Sequence, residues 1–262
     1  MNKKLFAALF AALVLAVSAV YAQTEADFTV GLTEDGEGVI ITGYTGKAVS
    51  VRIPATIQGM PVREIGKEAF SINFDITSVV IPAGVTKIGN RAFYQTPRLA
   101  SVTIPEGVTE ISVEAFYYSG ITSITMPKSL KTIEKDAFAS TKITSVIIPT
   151  GTKIEKGAFN GCKSLVTVTL PEGMEEIPQE MFSGCNALTS IALPASIKAI
   201  GWNAFATYGS SNLTTVTIPD SVETISFPAI SSGGSSDAFK GCSKLSLASQ
   251  AALKKRGYKD SF

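Results

Sequence analysis

The sequence contains no histidine among its 262 residues. Histidine is the side chain that titrates near neutral pH and a common ligand of transition metals, so its absence removes histidine-based catalysis and histidine metal sites. Charge is also scarce, because charged residues make up 17% of the chain against about 25% in an average protein. The 23 basic and 22 acidic residues nearly balance, which leaves no basic stripe for nucleic acid.

Motifs for catalysis and metal binding are missing as well. The chain has no glycine-rich phosphate-binding loop, its carboxylates are scattered, and no acidic loop has the spacing of a calcium-binding EF-hand. We therefore expect a protein that is not an enzyme, holds no cofactor or metal, and does not bind nucleic acid.

Long apolar runs are confined to the N-terminus. Lys3 and Lys4 precede 13 apolar residues from Leu5 to Val17, and Val20 to Ala22 forms a small-residue cleavage site. The run is shorter than the roughly 20 residues that a membrane-spanning helix needs. We therefore predict a signal peptide over residues 1–22, cleaved after Ala22. The mature protein would be exported to the cell surface or the medium, with the periplasm as another destination, and would not insert into the membrane.

The rest of the chain repeats itself. Two markers keep the same period: a small residue or Met before phenylalanine, and an apolar residue before proline. The phenylalanines are separated by 23, 23, 22, 21, 23, 23 and 34 residues. A repeat of this length with leucine-like positions predicts a leucine-rich-repeat solenoid. The eight phenylalanines are Phe70, Phe93, Phe116, Phe138, Phe159, Phe182, Phe205 and Phe239.

One repeat shows how a coil would be built. Between Leu99 and Ile104 the apolar residues alternate with Ser101 and Thr103, as in a strand with one face outward. Pro105 has no N–H to donate and therefore ends the strand. The phenylalanine that closes the coil, Phe116 in this repeat, enters the core. Because each coil leaves an apolar side uncovered, the coils need one another.

The fold predicted is a curved right-handed superhelix of about eight 23-residue repeats over residues 48–245. Two apolar segments, Phe28 to Leu32 and Val39 to Tyr44, flank a glycine-containing turn and predict an N-terminal β-hairpin cap over residues 23–47. Helix formers from Leu247 to Arg256, after Ser246 as a possible N-cap, predict a C-terminal helical cap over residues 246–262. A Ser- and Gly-rich insertion over residues 226–236 should leave the solenoid as a loop, either passive or part of a binding face.

Three cysteines occupy equivalent places in their repeats, at Cys162, Cys185 and Cys242. Side chains in register on stacked coils point in parallel, and an odd count argues against a disulfide framework in an exported protein. We expect buried thiols, because cysteine packs as a small hydrophobe.

The outward-facing strand positions form the candidate binding surface, on the concave side. Small hydroxyl side chains dominate it, which fits either simple β propensity or a protein-binding platform. Aromatic residues near the phenylalanines are either exposed anchors or packing residues. The candidate surface residues are Ser101, Thr103, Ser123, Thr125, Ser145, Thr167, Thr169, Ser190, Thr215 and Thr217, and the candidate anchors are Tyr94, Tyr117, Tyr118, Trp202 and Tyr208.

Two segments carry a family resemblance. LTSIALPASIKAIGWNAF, from Leu188 to Phe205, and LVTVTLPEGMEEIPQEMFSGC, from Leu165 to Cys185, are similar to repeats of the BspA-like, or treponemal-type, leucine-rich-repeat family. The resemblance runs from about Ala48 to Leu245. It implies a bacterial secreted or surface protein that attaches to fibronectin, fibrinogen, host cells or other bacteria. The alternative is a structural protein of the cell envelope with no host partner. In either role we expect a monomer.

Overall fold

The computed structural model describes residues 23–207, 209–227, 238–259 and 262. The predicted signal peptide and Tyr208 lie outside the described residues, as does most of the predicted insertion. The described chain forms a solenoid of eight coils, each closed by one of the eight phenylalanines of the repeat. No helix of the described part is long and apolar enough to span a bilayer.

Each coil has three sides. A three-residue strand forms the first side in all coils but one, a short strand forms the second, and a turn containing phenylalanine forms the third. After a short 3-10 helix at Glu25–Asp27, the elements are β1 (Phe28–Leu32), β2 (Val39–Tyr44), β3 (Ser50–Arg52), β4 (Thr56–Ile57), β5 (Met60–Ile65), β6 (Ser78–Val80), β7 (Lys87–Ile88), β8 (Ser101–Thr103), β9 (Glu110–Ile111), β10 (Thr132–Ile133), β11 (Ser145–Ile147), β12 (Lys153–Ile154), β13 (Thr167–Thr169), β14 (Glu176–Ile177), β15 (Ser190–Ala192), β16 (Ala199–Gly201), β17 (Thr215–Thr217), β18 (Thr224–Phe227) and α1 (Leu247–Lys255).

The first side, which we call the hydroxyl face, consists of β3, β6, β8, β11, β13, β15 and β17. The strands form three parallel, in-register groups, β3-β6-β8, β11-β13 and β15-β17, so that Ser78 lies beside Ser101 and Val79 beside Val102. The central valine or isoleucine of each strand points into the core while its neighbours point outward, because successive side chains alternate across a strand. The repeat thereby produces rows of identical positions along the solenoid.

The second side, which we call the charged face, contains two parallel sheets. One runs from β2 through β5, β7, β9 and β10 to β12, and the other joins β14, β16 and β18. In earlier coils the residue after the strand donates its N–H to the preceding coil, as Ser112 does to Ile88 at 2.9 Å and Glu155 to Ile133 at 2.9 Å. Pro178 occupies this place after β14 and has no N–H. The sheet is therefore interrupted between β12 and β14.

The third side carries the stacked phenylalanines. Successive rings lie 5.0–5.9 Å apart with interplanar angles of 4–20°. All eight rings are at most 2% exposed, which confirms the predicted core. The widest spacing, between Phe159 and Phe182, coincides with the interruption of the charged face at Pro178. Inter-coil backbone hydrogen bonds continue along this side, for example from Phe116 N to Ala137 O at 2.8 Å.

Backbone strain recurs beside each phenylalanine. Residues two before and two after the ring adopt a left-handed conformation in most coils, with φ between 52° and 78°. After the ring, glycine takes this place as Gly161, Gly184 and Gly241, whereas the first coil has Ile72. A β-branched residue is the least suited to left-handed backbone.

Replacing Ile72 with glycine should stabilise the protein by about 1 kcal/mol. Removing the strain of a non-glycine residue in left-handed backbone stabilises the folded state by roughly 1–2 kcal/mol. The greater conformational entropy of glycine in the unfolded chain reduces this gain by roughly 0.5–1 kcal/mol. Ile72 is 55% exposed, so little packing is lost. Denaturant unfolding measures the change. Ile72→Ala, which keeps a Cβ, is the control and should show no gain; a gain of equal size in both variants would contradict the strain argument.

The two ends confirm the predicted caps. The hairpin of β1 and β2 is antiparallel, and β2 extends the charged-face sheet by pairing with β5. The helix α1 begins after Ser246, whose hydroxyl accepts the Ser249 N–H. Both caps also extend the ring stack, since Tyr44 packs on Phe70 at 5.5 Å and Tyr258 lies edge-on to Phe239 at 5.7 Å.

The start of the insertion is corrected by the structure. Ser226 and Phe227 belong to β18, which pairs with β16 through a register shift. The chain therefore remains in the solenoid to residue 227, because the backbone of these two residues still continues the parallel sheet.

Candidate interaction surface

The hydroxyl face presents two outward rows of small side chains. In β8, β11, β13, β15 and β17 the side chains predicted from sequence lie outward and exposed. Within the described residues, the two rows contain one charged residue, Arg52 at the N-terminal end. The exposed predicted residues in these strands are Ser101, Thr103, Ser145, Thr167, Thr169, Ser190, Thr215 and Thr217.

The predicted strand at Ser123 and Thr125 is not formed. Turn length does not explain this, because Ser123 follows Phe116 by seven residues and Ser145 follows Phe138 by the same number, yet β11 forms. Strand pairing on the hydroxyl face is interrupted at this coil and again between β13 and β15, although Thr122 N still reaches Ala100 O at 3.3 Å. Both side chains remain exposed. The predicted continuous sheet is therefore wrong at this coil.

A depression of about 870 Å³ lies at this interruption. Its walls include Ile124, Met126, Ile147 and Leu170, so its lining is largely apolar. Ile147 is 70% exposed, which is unusual for a large aliphatic side chain at the middle of a surface. Sequence reasoning missed this site, although the apolar residue interrupting the threonine row at position 147 was the signal that could have found it.

The charged face differs strongly from the hydroxyl face. It carries inter-coil ion pairs such as Lys87 with Glu110 at 2.9 Å and Lys198 with Glu175 at 3.0 Å. The hydrogen bond with Glu110 raises the pKa of Lys87. Charged side chains hold water firmly and cost more to desolvate than hydroxyl groups. The hydroxyl face is therefore the surface better suited to burial against a partner.

The predicted aromatic anchors do not form one cluster. Tyr94 and Tyr117 stack at 5.3 Å, and the Arg91 guanidinium lies 5.2 Å from the Tyr94 ring. Tyr118 follows directly and is 57% exposed. Trp202 lies four coils further along the solenoid and is half-buried. The structure thus brings together the three tyrosines, on the turns of the phenylalanine side rather than on the hydroxyl face.

The three cysteines are buried, as predicted. Each thiol donates to the carbonyl of a phenylalanine in the preceding coil, as Cys162 Sγ does to Phe138 O at 3.2 Å and Cys185 Sγ to Phe159 O at 3.3 Å. Burial raises the pKa of the Cys162 and Cys242 thiols to about 11. The thiols therefore stay protonated at neutral pH and act as packing groups. In the described part of the chain, no group of acidic or cysteine side chains is arranged to hold a metal ion.

Comparison with known families decides the relationship. A family model described as a BspA type leucine rich repeat region, with six copies, matches residues 63–152 and 131–255. The chain belongs to the BspA-type leucine-rich-repeat family. This is a bacterial family of surface-type repeat proteins, and its architecture is that of a protein-interaction module.

Solved structures agree with the BspA-type assignment. The leucine-rich-repeat protein TpLRR of T. pallidum is 28% identical, with a TM-score of 0.68 over 92% of this chain and 98% of that one. A leucine-rich-repeat protein from Bacteroides ovatus is also 28% identical, with a TM-score of 0.67 over 84% of this chain and 60% of that one. No protein of curated function matches the chain.

Proposed function

We propose that this BspA-type protein is exported and acts in adhesion by binding proteins of the extracellular matrix or of cell surfaces through the hydroxyl face. The observation that supports the proposal is the contrast between the hydroxyl face, which is almost free of charge, and the neighbouring charged face, which carries inter-coil ion pairs. Fibronectin, fibrinogen, host cells and other bacteria are the partners that the family resemblance suggests.

Physical properties of the hydroxyl face support binding. Serine and threonine side chains lose little rotamer entropy on burial, so ordering them at an interface costs less than ordering long charged side chains. The strands repeat at about 4.8 Å, which makes a platform roughly 35 Å long over eight coils. Ile147, exposed within the apolar depression, supplies a large aliphatic contact on this platform.

A matched pair of variants tests the surface. The first variant places two large cations on the hydroxyl face through Thr103→Arg and Thr125→Arg. The second variant places the same charges on the charged face through Thr86→Arg and Thr109→Arg, at two exposed threonines. Purified Gln23–Phe262 is tested for binding to immobilised fibronectin, fibrinogen, collagen and laminin. We expect the first variant to bind at least about tenfold more weakly, a loss of about 1.4 kcal/mol, and the second to bind like the parent.

Equal binding by both variants would remove the hydroxyl face from the proposal. Failure of the well-folded parent to bind any of the four proteins would favour the structural role in the cell envelope. Protease treatment of intact cells tests export to the surface separately, because only a surface-exposed protein is digested without lysis.

A further inference from the structure

The N-terminal end of the solenoid presents an open sheet edge surrounded by carboxylates. Within the described residues, β1 pairs only with β2, so the other edge of β1 is free. Residues 23–47 contain five acidic residues and one lysine. Leu32, at the end of β1, is 61% exposed. Open edges commonly serve as docking sites for another chain.

These carboxylates are only partly balanced by nearby positive charge, because the Arg63 side chain of β5 lies against Gly38 at the hairpin turn. None of the five forms an ion pair in the described part of the chain, and Glu34 and Glu37 are fully on the surface. Asp35 instead accepts hydrogen bonds from the Thr33 hydroxyl and the Glu37 N–H. With Arg63 included, the charges at this end count to −3, five negative against two positive.

The opposite end carries the opposite charge. Residues 238–262 contain six basic residues and one acidic residue, and one of the six, Arg256, is paired with Asp220. Ser249 and Leu253 of α1 are buried against the last coil. The residues on the other side of the helix, Leu247, Ala251, Lys254 and Lys255, are exposed, and Leu247 is 84% exposed. The outward face of α1 thus combines an apolar contact with two cations.

We propose that a second copy of this chain docks its basic C-terminal end on the acidic N-terminal end of the first, so that copies associate head to tail. The two ends of one molecule cannot meet, because the stack of eight phenylalanines separates them. Two like ends repel each other, whereas unlike ends attract. Each end also has an exposed leucine, Leu32 at the N-terminal end and Leu247 at the C-terminal end. Contacts between different patches on identical copies produce open chains, or rings where the rotation between copies closes. The predicted monomer would then be the dilute state, and this association is independent of the proposed adhesion.

Salt dependence is the first test. Sedimentation velocity of Gln23–Phe262 is measured over a concentration series in about 20 mM and about 500 mM NaCl. We expect the average mass to rise with concentration at low salt and the association to weaken at least about tenfold at high salt, because exposed charges are screened. A mass that stays at one chain at every concentration in low salt would overturn the proposal.

Charge reversal at each end tests the pairing of unlike ends. Glu34→Lys with Glu37→Lys and, separately, Lys254→Glu with Lys255→Glu should each abolish self-association. An equimolar mixture of the two variants should associate again, because the intact basic end of one variant can dock on the intact acidic end of the other. Lys128→Glu with Lys163→Glu lowers the net charge by the same amount as the Lys254 and Lys255 variant, at exposed mid-solenoid positions, and should leave association intact. Self-association by either end variant alone would show that like ends meet and would overturn the proposal.

Discussion

Replacing Phe138 with alanine is expected to destabilise the protein by about 3–5 kcal/mol, the usual cost of removing a fully buried aromatic side chain. Phe138 is 0% exposed and lies between Phe116 at 5.2 Å and Phe159 at 5.5 Å. The neighbouring rings are held by the backbone bonds of their own coils, so they cannot close the gap. The loss therefore includes both the burial of the ring and the cavity left behind.

The same substitution at an exposed phenylalanine is the control. Phe74 is 55% exposed and is not part of the ring stack, so Phe74→Ala should change stability by no more than about 0.5 kcal/mol. Chemical denaturation of both variants gives the comparison. If Phe138→Ala unfolded at the same denaturant concentration as Phe74→Ala, the stack would not be the element that holds the coils together.

The sequence predicts the repeating parts of the fold because repetition fixes both spacing and orientation. Once the phenylalanines share one period, stacking the coils places Phe93 on Phe116 without any further choice. The caps were also predictable, because the hairpin and the helix N-cap at Ser246 are local features. The two tyrosines that extend the stack, Tyr44 and Tyr258, were missed because they lie outside the period.

The interruptions of the sheets could not be predicted from the repeat. Pairing between β-strands depends on the distance between neighbouring coils, and that distance responds to single residues. On the charged face, Pro178 removes one backbone N–H donor and the sheet is interrupted there. On the hydroxyl face, the residue pattern around Ser123 matches that of the neighbouring repeats, yet no strand forms. The apolar depression beside Ile147 follows from that second interruption, so the candidate site was predicted as a surface but not in its shape.

The remaining large effect is expected at Gly120, where the backbone of the preceding coil leaves no room for a Cβ. Gly120 lies in the turn after Phe116, and its N–H donates to Thr96 O at 3.0 Å. A Cβ at this position would lie 2.2 Å from Pro97 O, a backbone atom that cannot move without moving its coil. We therefore expect Gly120→Ala to destabilise the protein by about 2–3 kcal/mol through overpacking.

Gly31 provides the matched comparison for this prediction. A Cβ on Gly31 would meet only the Thr42 methyl at 3.6 Å, an ordinary contact, so Gly31→Ala should leave stability unchanged or raise it by less than about 1 kcal/mol. Thermal unfolding of both alanine variants separates the general effect of losing a glycine from the clash at Pro97. Because the clash would push the coil of Phe138 away from the coil of Phe116, Gly120→Ala should also weaken the effect of Phe138→Ala in a double variant. Strict additivity of the two losses would show that Gly120 does not set the spacing of these coils.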